Sequence, residues 1–388
     1  AFVVLKSIPL SPNGKVDRKA LPAPEAVQKA DREGYISPRN TLEMQLLQIW
    51  EDLLNVQPVG VRDNFFELGG HSLLAVQLMA RIEQRFGKKL LLSTIFEGAT
   101  IEQLVVILHQ QTEPQAWTPL VQIKKGGDNP PVFCIHPGGG TIHAYLELAR
   151  LLDPELTVYG LQACGFEKGQ EPVSGVEEMA ANYVKALQSV QPEGPYLLVG
   201  WCLGARVSFE MALQLQSQGR QVPLLVFFDA YAPSTIPDEL MEYDDAHKLM
   251  NLVSEDIPVT LEQLQALAPD EQLTLVIEQA KLVNVIPPDF DLEQGRRFLE
   301  VFKANGRIAH SPISNKYQGK IILFRAEEEK AFALQFTEDH ALAWGEVVTE
   351  GTEVHFVPGN HNTLVRLPHV QVLAEKLNTY IKQAQATN

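Results

Sequence analysis

The sequence predicts a multidomain chain in which a small all-α bundle precedes a larger α/β domain with a mostly parallel sheet. Apolar residues recur at helical spacing between residues 40 and 108. From residue 132 onward, apolar runs that fit buried strands alternate with amphipathic segments, a pattern typical of a parallel sheet with helices on both faces. Within this region, the apolar residues 196–199 lead into Gly-Trp-Cys-Leu-Gly and a helical segment, which predicts a sharp strand–turn–helix junction at Cys202.

The composition limits the partners and the compartment of the chain. The 388 residues include 32 lysines and arginines against 48 aspartates and glutamates, which gives a net charge of −16. An acidic chain without a basic stripe disfavours nucleic acid and anionic membranes as partners, and no apolar run is long enough for a membrane span. The three cysteines, Cys134, Cys164 and Cys202, are odd in number and form no C-x-x-C, which indicates a reducing, cytoplasmic compartment.

The first 37 residues are predicted to be the end of a preceding domain and a linker. The chain begins with Ala1 and has no basic leader or cleavage motif, so we expect it to start inside a longer polypeptide. Residues 8–18 contain a Pro/Asn/Gly turn followed by Lys15. Proline, alanine and charged residues then dominate, as is typical of a linker.

Residues 38–111 are predicted to form a bundle of three or four helices. The first helix follows the cap pair Asn40 and Glu43. The second begins near Ser72, directly after Gly69, Gly70 and His71. A phosphate attached to Ser72 would meet free backbone N–H groups and the positive end of the helix dipole. On position alone, the alternative is a simple N-cap serine.

Cys202 is predicted to be a nucleophile at the end of its strand. Gly200 and Gly204 let the strand and helix approach closely around this strained residue. The helix N-terminus lowers a thiol pKa, and the N–H of Leu203 points to where the oxygen of a reacting carbonyl would lie. The alternative for a free cysteine is a small buried hydrophobe.

Further candidates follow other strands, where the active groups of such sheets lie. Asp229 follows the strand at 224–228, and His361 follows the last strand, so the order nucleophile, acid, histidine is that of α/β hydrolases. His361 would act as the base, and Asp229 would fix its tautomer. Glu327 and Glu328, after the next strand, are the alternative acids.

The loop 136–140 follows the first strand and reads His-Pro-Gly-Gly-Gly. Its glycines can turn a backbone N–H into an oxyanion site, so Gly138 and Gly139 are predicted to act with Leu203. His136 is interpreted as a residue that orders the loop. No His/Asp/Glu group shows the spacing of metal ligands, so no metal site is predicted.

Residues from 231 to about 312 form a long insertion between two strands. Apolar residues at helical spacing predict helices here, which we interpret as a helical lid over the active site. An ordinary subdomain without a gating role is the alternative. Asp289, Phe290 and Asp291 mark a loop or hinge.

Two N-terminal motifs resemble parts of nonribosomal peptide synthetases. Residues 8–18 are similar to the last motif of their adenylation domains, in which the lysine at the position of Lys15 contacts the acyl adenylate. Asp-Asn-Phe-Phe-Glu-Leu-Gly-Gly-His-Ser-Leu, at residues 63–73, resembles the peptidyl carrier motif. This resemblance implies that a phosphopantetheinyl transferase attaches 4′-phosphopantetheine from coenzyme A to Ser72, and that the arm carries an acyl or peptidyl thioester.

The C-terminal region resembles a type I thioesterase domain of a terminal synthetase module. The likeness rests on the motifs at residues 132–139, 159–162, 200–204, 228–229 and 358–361. In that family the acid follows the strand after the elbow, which favours Asp229. The chain departs from the family in having Cys202 where serine is usual and Ala205 where glycine is usual. We interpret Cys202 as the natural residue, an introduced cysteine being the alternative.

These resemblances imply five segments. They are an adenylation-domain tail (1–24), a linker (25–37), a four-helix peptidyl carrier domain (38–111), a linker (112–118) and an α/β-hydrolase thioesterase domain (119–388). Upstream domains of the same polypeptide are the implied partners. The predicted function is transfer of an acyl group from the arm on Ser72 to Cys202, then release by hydrolysis or by cyclisation to a lactone, lactam or strained ring. The alternatives are a non-catalytic gating or docking module and a free-standing cysteine hydrolase of the dienelactone-hydrolase kind.

Overall fold

The computed structural model describes residues 36–110, 117–166, 169–235, 244–252, 257–283, 286, 290–328 and 339–386. The adenylation-domain tail predicted at residues 1–24, with Lys15, lies outside these residues. Most of both predicted linkers and Asp289 also lie outside them.

The first described unit is a bundle of short helices. It consists of α1 (Thr41–Leu54), α2 (Ser72–Phe86), α3 (Thr94–Glu97) and α4 (Ile101–Gln110). Asn40 caps α1 by accepting a hydrogen bond from the backbone N–H of Glu43 at 2.8 Å. The carboxylate of Glu43 pairs with Arg39. The fully buried apolar residues of the bundle include Leu46, Trp50, Phe65, Leu78 and Ile82, and they belong to a hydrophobic cluster that continues into the second unit.

The second unit is organised around one seven-stranded sheet. Its strands are β1 (Leu120–Lys124), β2 (Val132–Ile135), β3 (Val158–Leu161), β4 (Leu197–Trp201), β5 (Leu224–Phe228), β6 (Ile321–Ala326) and β7 (Thr352–Val357). They lie in the order β1-β3-β2-β4-β5-β6-β7. β1 pairs antiparallel with β3, and all other neighbours are parallel. The predicted α/β fold is therefore confirmed. The sequence analysis missed β1 because a loop, and not a crossover helix, follows it.

Helices cover both faces of the sheet. The helices of this unit are α5 (Leu146–Leu151), α6 (Val176–Gln188), α7 (Leu203–Ser217), α8 (Asp245–Leu252), α9 (Leu261–Gln265), α10 (Pro269–Leu282), α11 (Leu292–Ala309) and α12 (His369–Ala386). α5 and α12 pack on one face, whereas α6 and α7 pack on the other. Neighbouring strand residues such as Phe133 and Cys134 enter opposite cores, so both faces are buried and the strands read as continuous apolar runs.

α8 to α11 form the insertion between β5 and β6. They enclose a separate hydrophobic cluster that includes Leu249, Leu264, Ile277, Phe290 and Leu299. Asp291 caps α11 by accepting a hydrogen bond from the backbone N–H of Gln294 at 2.8 Å. The insertion is thus a compact helical layer with its own core. Among the described helices, none is both long and apolar enough to cross a membrane.

Candidate active site

Cys202 occupies the sharp turn between β4 and α7. Its backbone has φ 56° and ψ −121°, a conformation that residues with a side chain rarely adopt. A Cβ atom at Gly200 would lie 2.3 Å from the carbonyl oxygen of Gly204, and one at Gly204 would lie 2.4 Å from that of Ile135. Strand and helix therefore approach too closely for any other residue at these two positions, and the strained turn holds the Cys202 thiol beyond the end of β4.

His361 links Cys202 to a buried carboxylate. Its Nδ1 atom lies 2.8 Å from Oδ2 of Asp229, whose side chain is 4% exposed. The other carboxylate oxygen of Asp229 accepts a hydrogen bond from the backbone N–H of Ala326 at 3.0 Å. Because Nδ1 faces Asp229, Nε2 is the ring nitrogen left for the hydrogen bond between His361 and Cys202. The structure thus brings the three predicted side chains together in one chain of contacts.

The alternative acids take no part in this chain of contacts. Glu327 and Glu328 are exposed residues directly after β6. Their backbone N–H groups donate to the carbonyl oxygens of Val357 and Gly359, at 2.9 Å and 3.1 Å. Within the described residues, Asp229 is the carboxylate that contacts Nδ1 of His361.

Charge coupling between Cys202 and His361 favours an ion pair. Burial raises the pKa of the Cys202 thiol, but the charge and the hydrogen bond of His361 outweigh burial, so this pKa is lowered overall. Burial lowers the pKa of His361, but the charge of Cys202 and the hydrogen bond to Asp229 raise it well above its ordinary value. A thiolate beside an imidazolium is the state that these shifts favour.

Two backbone N–H groups hold the sulfur of Cys202. Leu203 and Gly138 donate hydrogen bonds to it, and both lower the pKa of the thiol. When the sulfur attacks a carbonyl carbon, the negative oxygen that forms lies close to the sulfur. N–H donors beside the sulfur can therefore stabilise this oxygen, which is what an oxyanion hole requires. Gly139 lines the adjoining cavity, and its role as a third donor stays a prediction.

His136 orders the loop that carries Gly138. Its side chain is fully buried, and burial lowers its pKa to about 4, so the ring is neutral near pH 7. Nδ1 lies 2.8 Å from the carbonyl oxygen of Pro137, which can only accept, so Nδ1 carries the proton. Nε2 lies 2.7 Å from the hydroxyl of Tyr183, which also lies 3.1 Å from the carbonyl oxygen of Gln162. These contacts fix the ring of His136 between Pro137 and Tyr183, as expected for a residue that orders the loop.

Two buried aromatic residues, Tyr145 and Trp344, hold the strand ends near the site through hydrogen bonds. No local sequence pattern predicts these contacts. Tyr145 donates to the carbonyl oxygen of Ile135 at 2.6 Å and accepts from the N–H of Trp201 at 3.0 Å, which joins the ends of β2 and β4. The indole of Trp344 donates to the carbonyl oxygen of Ala230 at 2.8 Å, directly after Asp229. Both are buried aromatic residues, which composition alone assigns to the core.

A cavity of about 890 Å³ connects Cys202 with the N-terminal bundle. The bundle contributes Phe66, Gly70 and His71 to its wall. The sheet domain contributes residues that include Gly138, Gly139, Thr141, Cys202, Phe302 and His361. The nucleophile therefore faces a space that both units enclose.

Ser72 lies beside this space, at the first position of α2, and is 6% exposed. It lines a second cavity of about 290 Å³, in which Gly139 and Thr141 also take part, so these two residues border both cavities. A Cβ atom at Gly139 would meet no atom within 4 Å, so there is open space beside this residue of the common border.

Several contacts hold the bundle against the sheet domain, and buried apolar residues of both units belong to one hydrophobic cluster. Leu73 packs against the hydrophobic cluster of the insertion. At the other edge, Nη2 of Arg150 lies 3.2 Å from Oδ1 of Asn64 and 3.5 Å from Oε1 of Glu67. An apolar contact and a polar rim thus flank the shared cavity.

A family comparison identifies both units. Residues 130–381 match the model described as "Thioesterase domain". The chain belongs to the thioesterase domain family. Residues 45–106 match the model described as "Phosphopantetheine attachment site", so the bundle is a carrier domain that takes a covalent 4′-phosphopantetheine. The resemblance is thereby confirmed at the level of a carrier domain followed by a thioesterase domain. The position of Ser72 at the N-terminus of α2 and the open space beside Gly139 fit an arm that starts at Ser72.

The relatives are much longer than this chain. A dimodular nonribosomal peptide synthase of Bacillus subtilis (strain 168) is 44% identical over 237 residues, which cover 61% of this chain and 10% of that protein. Chondramide synthase of Chondromyces crocatus is 31% identical over 98% of this chain and 10% of its own length. The chain thus spans a tenth of the length of these relatives.

Solved structures share the folds of this chain. A four-domain nonribosomal peptide synthetase, holo-AB3403, is similar over 97% of this chain and 28% of its own, with 32% identity and a TM-score of 0.65. The Vlm2 thioesterase domain covers 67% of this chain with 24% identity and a TM-score of 0.51, a likeness of fold alone.

The lowered pKa of Cys202 predicts early alkylation. In a Cys164→Ala background, we expect iodoacetamide to modify Cys202 with a midpoint pH below about 8.5, the ordinary thiol value. Cys134 is fully buried and should stay unmodified. His361→Ala removes the largest influence that lowers the pKa of Cys202 and leaves burial, so the midpoint should rise above that of the parent. Rates measured by intact mass against pH check this, and equal midpoints in both proteins would contradict it.

The contact between Asp229 and His361 predicts which carboxylate supports the base. Asp229→Asn should lower the rate constant for acylation by a small acyl thioester about 10³- to 10⁴-fold, because the imidazole loses its orienting partner. Glu327→Gln and Glu328→Gln are the matched controls and should leave the rate unchanged. A large loss in either glutamate variant, with Asp229→Asn active, would reverse the assignment.

Proposed function

We propose that this chain holds an acyl or peptidyl thioester on Ser72, transfers the acyl group to Cys202 and releases the product of a nonribosomal peptide synthetase. The observation that carries the proposal is the shared cavity, which the surroundings of Ser72 and the Cys202–His361 pair both line. The likeness to synthetases over 97% and 98% of the chain supports it.

The proposed first step follows from the charges at the site. The phosphopantetheine on Ser72 supplies the acyl group as a thioester of its terminal thiol. Cys202 attacks the thioester carbonyl as a thiolate, and the N–H groups of Gly138 and Leu203 stabilise the negative oxygen. The imidazolium of His361 gives its Nε2 proton to the leaving sulfur, while Asp229 keeps Nδ1–H in place. The acyl group is then bound to the sulfur of Cys202.

His361 acts as an acid in the first step and as a base in the second. Neutral His361 takes the proton of the releasing nucleophile as that nucleophile attacks the acyl–Cys202 thioester. Water gives a carboxylic acid, whereas a hydroxyl or an amine of the acyl chain gives a lactone or a lactam. Because the bond to Cys202 is itself a thioester, transfer is close to thermoneutral and the acyl group stays reactive. We therefore favour cyclisation, with hydrolysis as the competing outcome.

The helical insertion is proposed to act as a lid. Leu73 of the carrier packs on its hydrophobic cluster, and Phe302 of α11 lines the cavity of Cys202. The insertion therefore contacts both the donor and the acceptor of the acyl group. We place the lid at residues 231–312, as the sequence predicts, and assign residues 1–24 to an adenylation domain. The remaining partners are the upstream synthetase domains, a phosphopantetheinyl transferase and coenzyme A, in a reducing, cytoplasmic setting that keeps Cys202 reduced.

The geometry disfavours the other two functions. A module that only docks or gates needs no thiol coupled to a histidine and a buried carboxylate, yet all three are in contact. A free-standing cysteine hydrolase needs no second domain over its site, yet Gly70 and His71 line the cavity.

The function is tested on the full chain by loading it with an acyl–coenzyme A and a phosphopantetheinyl transferase. Intact mass should show loading of the parent, no loading of Ser72→Ala, and loading without release for Cys202→Ala. Cys164→Ala, a change at another half-buried cysteine, should release like the parent. Release from Cys202→Ala at the parental rate would contradict the proposed mechanism.

The packing of Leu73 on the insertion predicts a docking residue. Leu73→Ala removes apolar area worth about 1 kcal/mol, so transfer from the loaded arm should slow about fivefold. Val106→Ala, at an exposed aliphatic residue of the same domain, should have no effect. Acylation by a small acyl thioester, which needs no docking, should be unchanged in both variants. Equal transfer rates in Leu73→Ala and the parent would show that this contact does not guide the carrier.

A further inference from the structure

The cavity of about 290 Å³ at the insertion has an almost entirely apolar wall. Its apolar side chains belong to the hydrophobic cluster of the insertion or pack against it, and they include Leu249, Leu273, Ile277, Phe290 and Phe298. Among the described residues of this wall, only Ser72 and Thr141 carry polar side chains. Protein interiors are close-packed and leave few voids larger than one water molecule. A largely apolar cavity of this size is therefore typical of a site that binds an apolar group.

The border of this cavity lies close to the nucleophile. Gly139, Thr141 and Leu252 line both this cavity and the cavity of Cys202. Gly139 directly follows Gly138, whose N–H donates to the sulfur of Cys202. One hydrogen bond and one residue of chain place the Cα of Gly139 about 8 Å from that sulfur. Two residues of extended peptide, which are six chain bonds, span about 7 Å, so an acyl group on Cys202 reaches the border with about its second residue.

The apolar wall distinguishes between the two groups that lie near the cavity. The phosphopantetheine arm starts at Ser72 and is polar along most of its length, because it contains a phosphate, a hydroxyl and two amides. Inside an apolar wall these groups would lack hydrogen-bond partners, which destabilises binding. An apolar acyl chain gains from the same wall, by about fourfold in affinity for each CH₂ group that it buries. The chemistry of the wall thus fits the acyl chain better than the arm.

We propose that the cavity of the insertion binds an apolar segment of the acyl group carried by Cys202. The inference rests on the proposed function, because it assumes an acyl group on this sulfur. It names the substrate class, which is acyl chains that are apolar from about the second residue, or about the sixth chain bond, onward. The insertion then determines specificity through the size and the apolar character of this cavity.

Chain length tests the inference with straight-chain acyl thioesters of N-acetylcysteamine. The protein is the full chain with Cys164→Ala, and release of N-acetylcysteamine gives kcat/KM for acylation of Cys202. We expect kcat/KM to be about 10- to 100-fold higher for decanoyl than for hexanoyl, because the four additional CH₂ groups enter the cavity. The monothioester of decanedioic acid has the same chain length but ends in a carboxylate, so it should lose this gain.

Two variants reduce the cavity, and one serves as their control. Ala280, on α10, lines the cavity and is 2% exposed, so Ala280→Phe fills part of it. Gly295→Ala is a milder change, because a Cβ there would lie 2.7 Å from Cδ1 of Ile277, which also lines the cavity. In Ala280→Phe the ratio of kcat/KM for decanoyl to that for hexanoyl should fall about tenfold, and in Gly295→Ala about threefold. Ala266→Phe, at an exposed residue of the insertion, should keep the parental ratio.

The ratio cancels any general loss of activity, so each outcome decides the inference. Equal kcat/KM for decanoyl and hexanoyl in the parent would overturn it. A full gain for the chain that ends in a carboxylate would also overturn it, because that end would lie in water. A parental ratio in both Ala280→Phe and Gly295→Ala would show that the gain comes from another surface. A parent that no thioester acylates would contradict the proposed function, and the inference with it, whereas the other outcomes leave the proposed function standing.

Discussion

The coupled charges of Cys202, His361 and Asp229 are the interaction on which the site depends. Each belongs to a different part of the chain, and the parallel sheet brings them together because the ends of β4, β5 and β7 meet at one edge. Burial alone would keep the thiol protonated and the imidazole neutral. The carboxylate of Asp229 contacts both His361 and the N–H of Ala326. Its negative charge stabilises the imidazolium of His361, and the imidazolium in turn stabilises the thiolate of Cys202.

A cysteine at the elbow changes the energetics but not the geometry. The φ of 56° and the close approach of Gly200 and Gly204 are imposed by the junction of strand and helix, whichever nucleophile it carries. A serine needs its base during the attack, whereas a thiol whose pKa is lowered holds its charge before the substrate arrives. The proton then already lies on His361, next to the leaving sulfur, where the proposed first step requires it.

The sequence predicted those parts of the site that follow strand ends and failed for those held by distant contacts. Glycine spacing and apolar runs were enough to place Cys202 in a turn and Asp229 and His361 near it. They could not choose between Asp229 and the glutamates, because that choice depends on how β5 and β6 lie side by side. The contact of Asn305 with the carbonyl oxygen of Gly138 could not be predicted, because the two residues are 167 positions apart. The sequence pattern around Asn305 indicates only the apolar face of a helix. The edge strand β1 and the shared cavity likewise depend on packing that no local pattern encodes.

In the proposed function, the contact between the carrier and the thioesterase domain has to be reversible. Ser72 is 6% exposed when the carrier lies on the thioesterase domain, so a modifying enzyme cannot reach it in this arrangement. The carrier must therefore leave for modification, and one of the contacts that hold it is an exposed ion pair. Arg150 and Glu67 are 41% and 63% exposed, and such pairs contribute about 0–1 kcal/mol. Leu73 adds a partly buried apolar contact to the insertion. In the proposed function, this balance lets the arm enter the cavity for transfer and lets Ser72 return to solvent for the next loading.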